Sequence, residues 1–250
     1  MPAEESTPAI VLRARDYADA DRIVTLLTRN QGKLSGIAKG AKASRKRFER
    51  KLEPFSQVML YFRRRPHGQL VFITRAERGD LPPAPLEDDL AKIALGSYML
   101  ELAEALTSEA AEAAAAYEAL TGAIAAMSAA IASNALRQAY ELRMLSATGF
   151  GLEFAHCRAC AAPVGADGAS AYFVASRGGV ICQRCRPAAE GGVRLGAAGA
   201  AALAQLAHSP LGSAATLPCA GEDGRLAIAR YLATILDRKL RSLDFLNSIL

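Results

Sequence analysis

The stretch Gly79-Asp80-Leu81-Pro82-Pro83-Ala84-Pro85 changes the period of the chain. Proline lacks a backbone N–H and fixes φ, so neither a helix nor a central strand runs through it. Upstream the sequence reads as short strands. Ala9–Arg15 and Arg22–Thr28 are rich in Ile, Val, Leu and Thr, with the polar turn Asp16-Tyr17-Ala18-Asp19 between them. Asn30-Gln31-Gly32 is a hairpin signal before Lys33–Lys39. Ser56–Arg64, the turn Pro66-His67-Gly68 and Gln69–Glu77 complete five strands. Five strands in so short a segment predict a partly open barrel of the OB type over residues 1–80.

Downstream the period becomes helical, which predicts a helical domain over residues 81–250 and an α+β chain overall. Leu86–Leu106 is amphipathic. Tyr117, Leu120, Ile124, Met127 and Ile131 recur at three and four residues, predicting one buried face. Ala119–Leu136 carries no charge and reads as buried helix, while Asn134 is the expected cap of a third helix ending at Gly149. Loop-like sequence over about 150–192 interrupts the helices, which resume at Leu195–His208 and Asp223–Leu250. In the last helix Ile228, Leu232, Ile235 and Leu243 are expected to face the bundle. Arg238, Lys239 and Arg241 crowd its later turns, where cations complement the helix dipole or attract an acidic partner.

The 250 residues are 51% hydrophobic and 22% charged, which excludes a wholly disordered chain. Residues 1–80 hold 17 Lys/Arg against 9 Asp/Glu, and residues 81–250 hold 13 against 16. The basicity therefore belongs to the strand-rich third and points to a polyanion. The start, Met1-Pro2-Ala3-Glu4-Glu5-Ser6, is acidic with no apolar region after it, so no export signal or membrane span is expected and a cytoplasmic location is. Cysteines there stay reduced, as thiols or metal ligands.

Cys157-Arg158-Ala159-Cys160 and Cys182-Gln183-Arg184-Cys185 stand 21 residues apart. Each pair brings two thiolates onto one ion, and two pairs complete a four-sulfur shell with no open position, so one structural zinc is expected at Cys157, Cys160, Cys182 and Cys185. Such an ion contributes on the order of 10 kcal/mol to folding a small loop module. Tyr172-Phe173-Val174 and Val180-Ile181 would form a hairpin between the knuckles. His156 reads as a surface residue, and Cys219, with no partner spacing, as a buried apolar one.

Lys39, Lys42, Arg45, Lys46, Arg47, Arg50 and Lys51 fill one expected inter-strand loop, and Arg63, Arg64 and Arg65 end a strand. Long cations on the rim of a five-stranded barrel suit phosphates and need no base-edge contact. Tyr17, Phe48, Phe55, Tyr61 and Phe72 lie among them; Phe48, inside the basic loop, is as much a base-stacking candidate as a core residue. Gly36–Ser44 glances at a phosphate-binding P-loop but has the wrong glycine spacing and a displaced Lys42. No Gly-x-Ser-x-Gly occurs, and no carboxylate stands in motif spacing to His67, His156 or His208, so no catalytic role is expected. A zinc-ribbon RNA-binding or transcription-associated factor is the alternative; a zinc enzyme would need an open His or carboxylate site.

Three stretches carry a resemblance: Gly32-Lys33-Leu34-Ser35-Gly36-Ile37-Ala38-Lys39-Gly40-Ala41, Leu52-Glu53-Pro54-Phe55, and Gly178-Gly179-Val180-Ile181-Cys182-Gln183-Arg184-Cys185. With the order of segments they make the chain resemble RecO, the bacterial recombination-mediator family, along essentially its whole length. The resemblance implies an OB-fold and a helical domain with a zinc ribbon; some members have lost the cysteines, and this sequence keeps all four. It also implies a nucleoid-associated protein that binds single- and double-stranded DNA, anneals complementary strands, and works with RecR to load RecA onto DNA coated by SSB. Binding of SSB's acidic C-terminal tail by the helical domain is implied too, and Arg238, Lys239 and Arg241 are electrostatically suited to it.

Overall fold

Strand β1 (Glu5–Tyr17) is long enough to pair with two neighbours. Its first half pairs with β4 (Gln57–Arg63), and most of its length pairs with β2 (Asp21–Thr28). A register shift between Val11 and Arg13 bends it between the two, as a bulge does. With β3 (Gly32–Ala38) and β5 (Val71–Arg78) the strands close a barrel in the order β1-β2-β3-β5-β4. The barrel is closed rather than partly open, and the β3–β5 pair is its parallel one. That pair is close because Gly36 has no side chain: a Cβ there would stand 2.7 Å from Ile73 and 2.9 Å from Val71.

This computed structural model describes residues 3–44, 46–65, 69–79, 89–109, 113–165, 168–186 and 191–250. The proline stretch from Asp80 onward, the Pro66-His67-Gly68 turn, Arg45 and the Leu86 end of the first expected helix lie outside the described residues.

Alternation along the strands fills the barrel with Ala9, Val11, Val24, Leu26, Leu60, Phe62 and Ile73. Ile10, Leu12 and Leu27 point outward and belong instead to the core of the helical part. That double burial is why β1 and β2 read as continuous apolar runs.

The helical part comprises α1 (Leu90–Leu106), α2 (Ala114–Ala129), α3 (Asn134–Ala147), α4 (Ala197–His208), α5 (Leu211–Ala214), α6 (Gly221–Ile235) and α7 (Arg241–Ile249). Asp89 caps α1 by accepting the Lys92 N–H at 3.0 Å. Three expectations need correction. The uncharged run is two helices, not one: the chain turns extended at Ala130, and Ile131, expected in the buried stripe, is 72% exposed. Ser133, not Asn134, caps α3, accepting the Leu136 N–H at 3.2 Å; the Asn134 side chain donates to the Leu250 carbonyl at 3.1 Å instead. The last segment also breaks, at Leu236, into α6 and α7.

A second sheet lies between α3 and α4: β6 (Ala171–Val174), β7 (Gly179–Cys182) and β8 (Val193–Leu195), in the order β7-β6-β8. Phe173 anchors it, stacked on Phe154 at 5.7 Å and edge-on to Tyr231 of α6 at 6.3 Å. The barrel is tied to the helices by polar contacts at the β2–β3 end. Lys33 Nζ donates to the Glu104 carbonyl at 2.7 Å, Arg13 pairs with the Glu104 carboxylate at 2.9 Å, and Arg29 pairs with Glu118 at 2.8 Å. Among the described residues no helix is long and apolar enough to cross a membrane.

Candidate functional site

The basic loop between β3 and β4 is held by its own apolar residues. Phe48 and Leu52, four apart, are buried in the barrel core. Phe48 is thus an anchor and not an exposed base-stacking residue. With these two side chains turned inward, Lys46, Arg47 and Arg50 face solvent. The loop is pinned from outside as well: Ala76 N–H donates to the Arg47 carbonyl at 3.1 Å and Lys42 N–H to the Ala20 carbonyl at 3.0 Å.

Part of the loop's charge is neutralised where it stands. Lys39 pairs with Asp21 at 2.9 Å and Lys42 with Asp16 at 3.1 Å. Asp16 also takes Arg22, which reaches Glu53 at 2.5 Å. The Gly40 N–H, with Lys39 second, holds the Asp21 carboxyl below its usual range, and Lys42 does the same for Asp16. Arg47 stacks 5.0 Å from the Phe48 ring centroid and donates to the Lys39 carbonyl at 3.0 Å, while Lys51 donates to the Lys46 carbonyl at 3.2 Å. Among the described residues neither Lys46 nor Arg50 pairs with a carboxylate. A concavity of about 500 Å³ opens beside Arg50, lined also by Arg22, Lys42, Ser44, Phe48 and Glu53.

Arg63, Arg64 and Arg65 do not join this patch. The basic loop enters β4 at Gln57, whereas Arg63 ends that strand and Arg64 and Arg65 follow it. Arg64 lies against the β2–β3 turn, donating to Gln31 at 2.7 Å and pairing with Glu5 at 3.2 Å. The Arg63 Nε is buried with no hydrogen-bond partner among the described residues, and Arg65 is exposed. Of the aromatics, Tyr17 is half exposed, and Tyr61 carries Arg75 3.4 Å above its ring.

The four cysteines converge. The Sγ atoms of Cys157, Cys160, Cys182 and Cys185 all lie within 4.8 Å of one another, with Cys160 and Cys182 3.9 Å apart. Sulfurs bound tetrahedrally at about 2.3 Å stand about 3.8 Å from each other, so the donor set fits one metal ion. Cys157 is the buried member. Burial pushes its thiol up, but N–H groups of Cys182, Ala159 and Cys160 overcome this and bring it to about 6. Cys185, which shares hydrogen bonds with Cys160 and Cys182, is pushed up to about 12. His156 is exposed beside Glu153, as expected. Cys219 is exposed, not buried.

Arg238 and Lys239 lie in the break between α6 and α7, and Arg241 begins α7. Arg238 and Lys239 thus follow the C-terminus of α6, while Arg241 stands at the N-terminus of α7, where a cation does not complement the dipole. Glu101 of α1 does the capping there, accepting the Arg241 N–H at 3.0 Å and the Ser242 N–H at 2.8 Å, with Arg238 3.8 Å away. Sequence reasoning also missed a buried polar cluster. Arg137 and Glu141, four apart on α3, form a 3.0 Å pair at 3% and 2% side-chain exposure. Tyr98 donates to the same Glu141 oxygen at 2.6 Å. The Arg137-x-x-x-Glu141 spacing was the available signal.

Comparison with known proteins covers nearly the whole chain. The model of the family described as recombination protein O, N terminal, matches residues 1–80, and that described as recombination protein O, C terminal, matches residues 87–245. The chain is 37% identical over 248 residues to a protein of Anaeromyxobacter sp. named DNA repair protein RecO, covering 96% of this chain and 94% of the relative. Proteins of the same name from Nocardioides sp. and Symbiobacterium thermophilum are 36% and 30% identical, each covering 96% of this chain, with 97% and 95% of their own lengths matched.

Proposed function

This chain belongs to the RecO family of DNA repair proteins, and from that premise we propose that it is a non-enzymatic recombination mediator that binds DNA through its barrel and anneals complementary strands. The observation that carries the reading is the anchored basic loop. Phe48 and Leu52 plug the barrel, so Lys46, Arg47 and Arg50 are held outward, without carboxylate partners among the described residues. Cations fixed in this way neutralise phosphates from either strand and lower the repulsion between two strands. The preference for sequence should be weak, because phosphate contacts position without reading bases.

In this reading residues 1–80 form the DNA-binding domain, and residues 81–250 form a helical domain whose insert at about 150–192 is stapled by one zinc ion. Four thiolates around zinc leave no site for water, so the ion's role is structural. RecR, and SSB through its acidic tail, are the proposed protein partners in loading RecA. Arg238, Lys239 and Arg241 are the cations offered to the tail.

The test is annealing of two complementary oligonucleotides by the full chain across a salt series, beside a Lys46→Ala/Arg47→Ala/Arg50→Ala variant. Salt-sensitive annealing that collapses in the variant is expected. If about six phosphates of one strand are engaged, log affinity should fall with log salt at a slope near −4. Absence of DNA binding at low salt overturns the reading, and stronger binding to RNA without DNA annealing favours the zinc-ribbon RNA-binding alternative.

A further inference from the structure

The ribbon, like Lys46 and Arg50 of the barrel loop, carries cations that meet no described carboxylate. On the barrel, Lys39, Lys42, Arg22 and Arg64 each have a carboxylate partner. On the ribbon, Arg158, Arg184, Arg186 and Arg194 are exposed, and no ion pair joins Arg184, Arg186 or Arg194 to a described carboxylate. Glu153, the carboxylate described there, is occupied by the N–H groups of Ala155 at 2.6 Å and His156 at 3.0 Å.

Three of these arginines converge on one face. The Arg186 guanidinium lies 3.9 Å above the centroid of the Tyr172 ring. Tyr172 of β6 is the register partner of Arg194 on β8, so both side chains project from the same side of the sheet. Arg194 donates to Ser170 Oγ at 3.1 Å. Ser170 in turn lines a concavity of about 450 Å³ whose wall includes Arg184 and Cys182. The neighbouring Phe173 points the other way, into its stack with Phe154, which fixes the orientation of the sheet. Arg184 lies between Cys182 and Cys185 of the second knuckle.

We propose that this outer face of the ribbon, built on Tyr172, Arg184, Arg186 and Arg194, is a second nucleic-acid surface that holds the phosphates of a single strand. The inference rests on the DNA-binding reading above and extends it, since a surface on a different module lets one molecule hold two strands. A guanidinium fork matches a phosphate bidentately, and one already stacked on tyrosine loses less freedom on binding.

The experiment measures binding of an oligo-dT strand to the full chain by fluorescence anisotropy across a salt series. It compares the parent with Arg184→Ala/Arg186→Ala/Arg194→Ala and with the corresponding triple lysine variant. Removing three phosphate contacts should reduce the log–log salt slope by about 2, because each single-strand contact contributes about 0.7. The lysine variant should keep most of the slope. Protection of the four ribbon thiols from alkylation reports that the module is intact. If the triple alanine variant loses that protection, Arg194→Ala and Arg186→Gln are measured singly, with a slope change of about 0.7 each expected. A parental slope in these variants, with parental DNA binding intact, overturns the second surface and leaves the barrel reading standing. A parent that binds no DNA overturns both.

Discussion

Glu101 of α1 and Ser242 of α7 are joined by two hydrogen bonds, the carboxylate Oε2 accepting the Ser242 backbone N–H at 2.8 Å and its hydroxyl at 2.6 Å. A carboxylate from one helix thus caps another that is 140 residues away in sequence, as the Arg241 N–H contact confirms. Replacing it by alanine leaves the first-turn N–H groups of α7 without acceptor or negative charge, at a cost of about 1 kcal/mol. Glu101→Ala should lower the denaturant midpoint accordingly. An unchanged midpoint would show that α7 is held by packing alone.

The same contact sets a pH dependence. Burial alone would raise the Glu101 carboxyl, but the Ser242 and Arg241 hydrogen bonds, with Arg238 nearby, hold it below its ordinary value. A carboxyl depressed on folding stabilises above its unfolded value of about 4.3 and loses that contribution as pH falls through the folded value. The stability difference between parent and Glu101→Gln should therefore be level from pH 7 to 5 and shrink below about pH 4. A difference that grows on acidification contradicts this assignment.

The Arg137–Glu141 pair is almost fully buried, and the second Glu141 oxygen has no partner among the described residues. Removing one charge strands the other, so Glu141→Gln should cost about 3–5 kcal/mol in urea unfolding. Arg137→Met/Glu141→Leu should recover most of it, because the pair's desolvation roughly offsets its attraction. Equal losses in both variants would point to packing instead of charge.

The thiols offer a readout of the metal. The chain has five cysteines, of which four converge and Cys219 stands exposed. With a metal bound, one thiol per chain should react rapidly with an aromatic disulfide reagent, and all five should react after chelation. Chelation should also lower the thermal midpoint of the helical part, since metal affinity is folding free energy for such a module. Five fast thiols in protein purified with one zinc per chain would exclude the four-sulfur site.

Gly36 tests the barrel. Any Cβ there meets Ile73 at 2.7 Å, in a β3–β5 pair with no room to open. Gly36→Ala should cost about 1–3 kcal/mol, and adding Ile73→Val should restore part of it. Full parental stability in Gly36→Ala would mean that the pair relaxes more freely than a packed barrel does.

What could be read along the chain was whatever is local. Runs rich in Ile, Val, Leu and Thr between turn signals located five strands to within a few residues, the two Cys-x-x-Cys pairs located a metal-binding set, and three- and four-residue spacing located α2. Periodicity and ligand spacing survive in sequence because they depend on neighbours a few residues apart. The endpoints were less legible. Nothing in an uncharged alanine-rich run announces that Ser133 will start a new helix and leave Ile131 in solvent, since both continuations satisfy the same helical propensity.

Composition placed the positive charge in residues 1–80; only the fold determined which cations remain available. Lys39 and Lys42 meet Asp21 and Asp16 because β1, β2 and the basic loop come together at one end of the barrel. Arg64 instead reaches Gln31 and Glu5 because β4 carries the chain from the basic loop toward the β2–β3 turn. Phe48 is inside because the loop folds back over the barrel, and Arg186 and Arg194 share Tyr172 because β6 and β8 pair. Burial and ion pairing are properties of which elements converge in space, and convergence is set by the summed packing of distant segments rather than by the order of residues within any one of them.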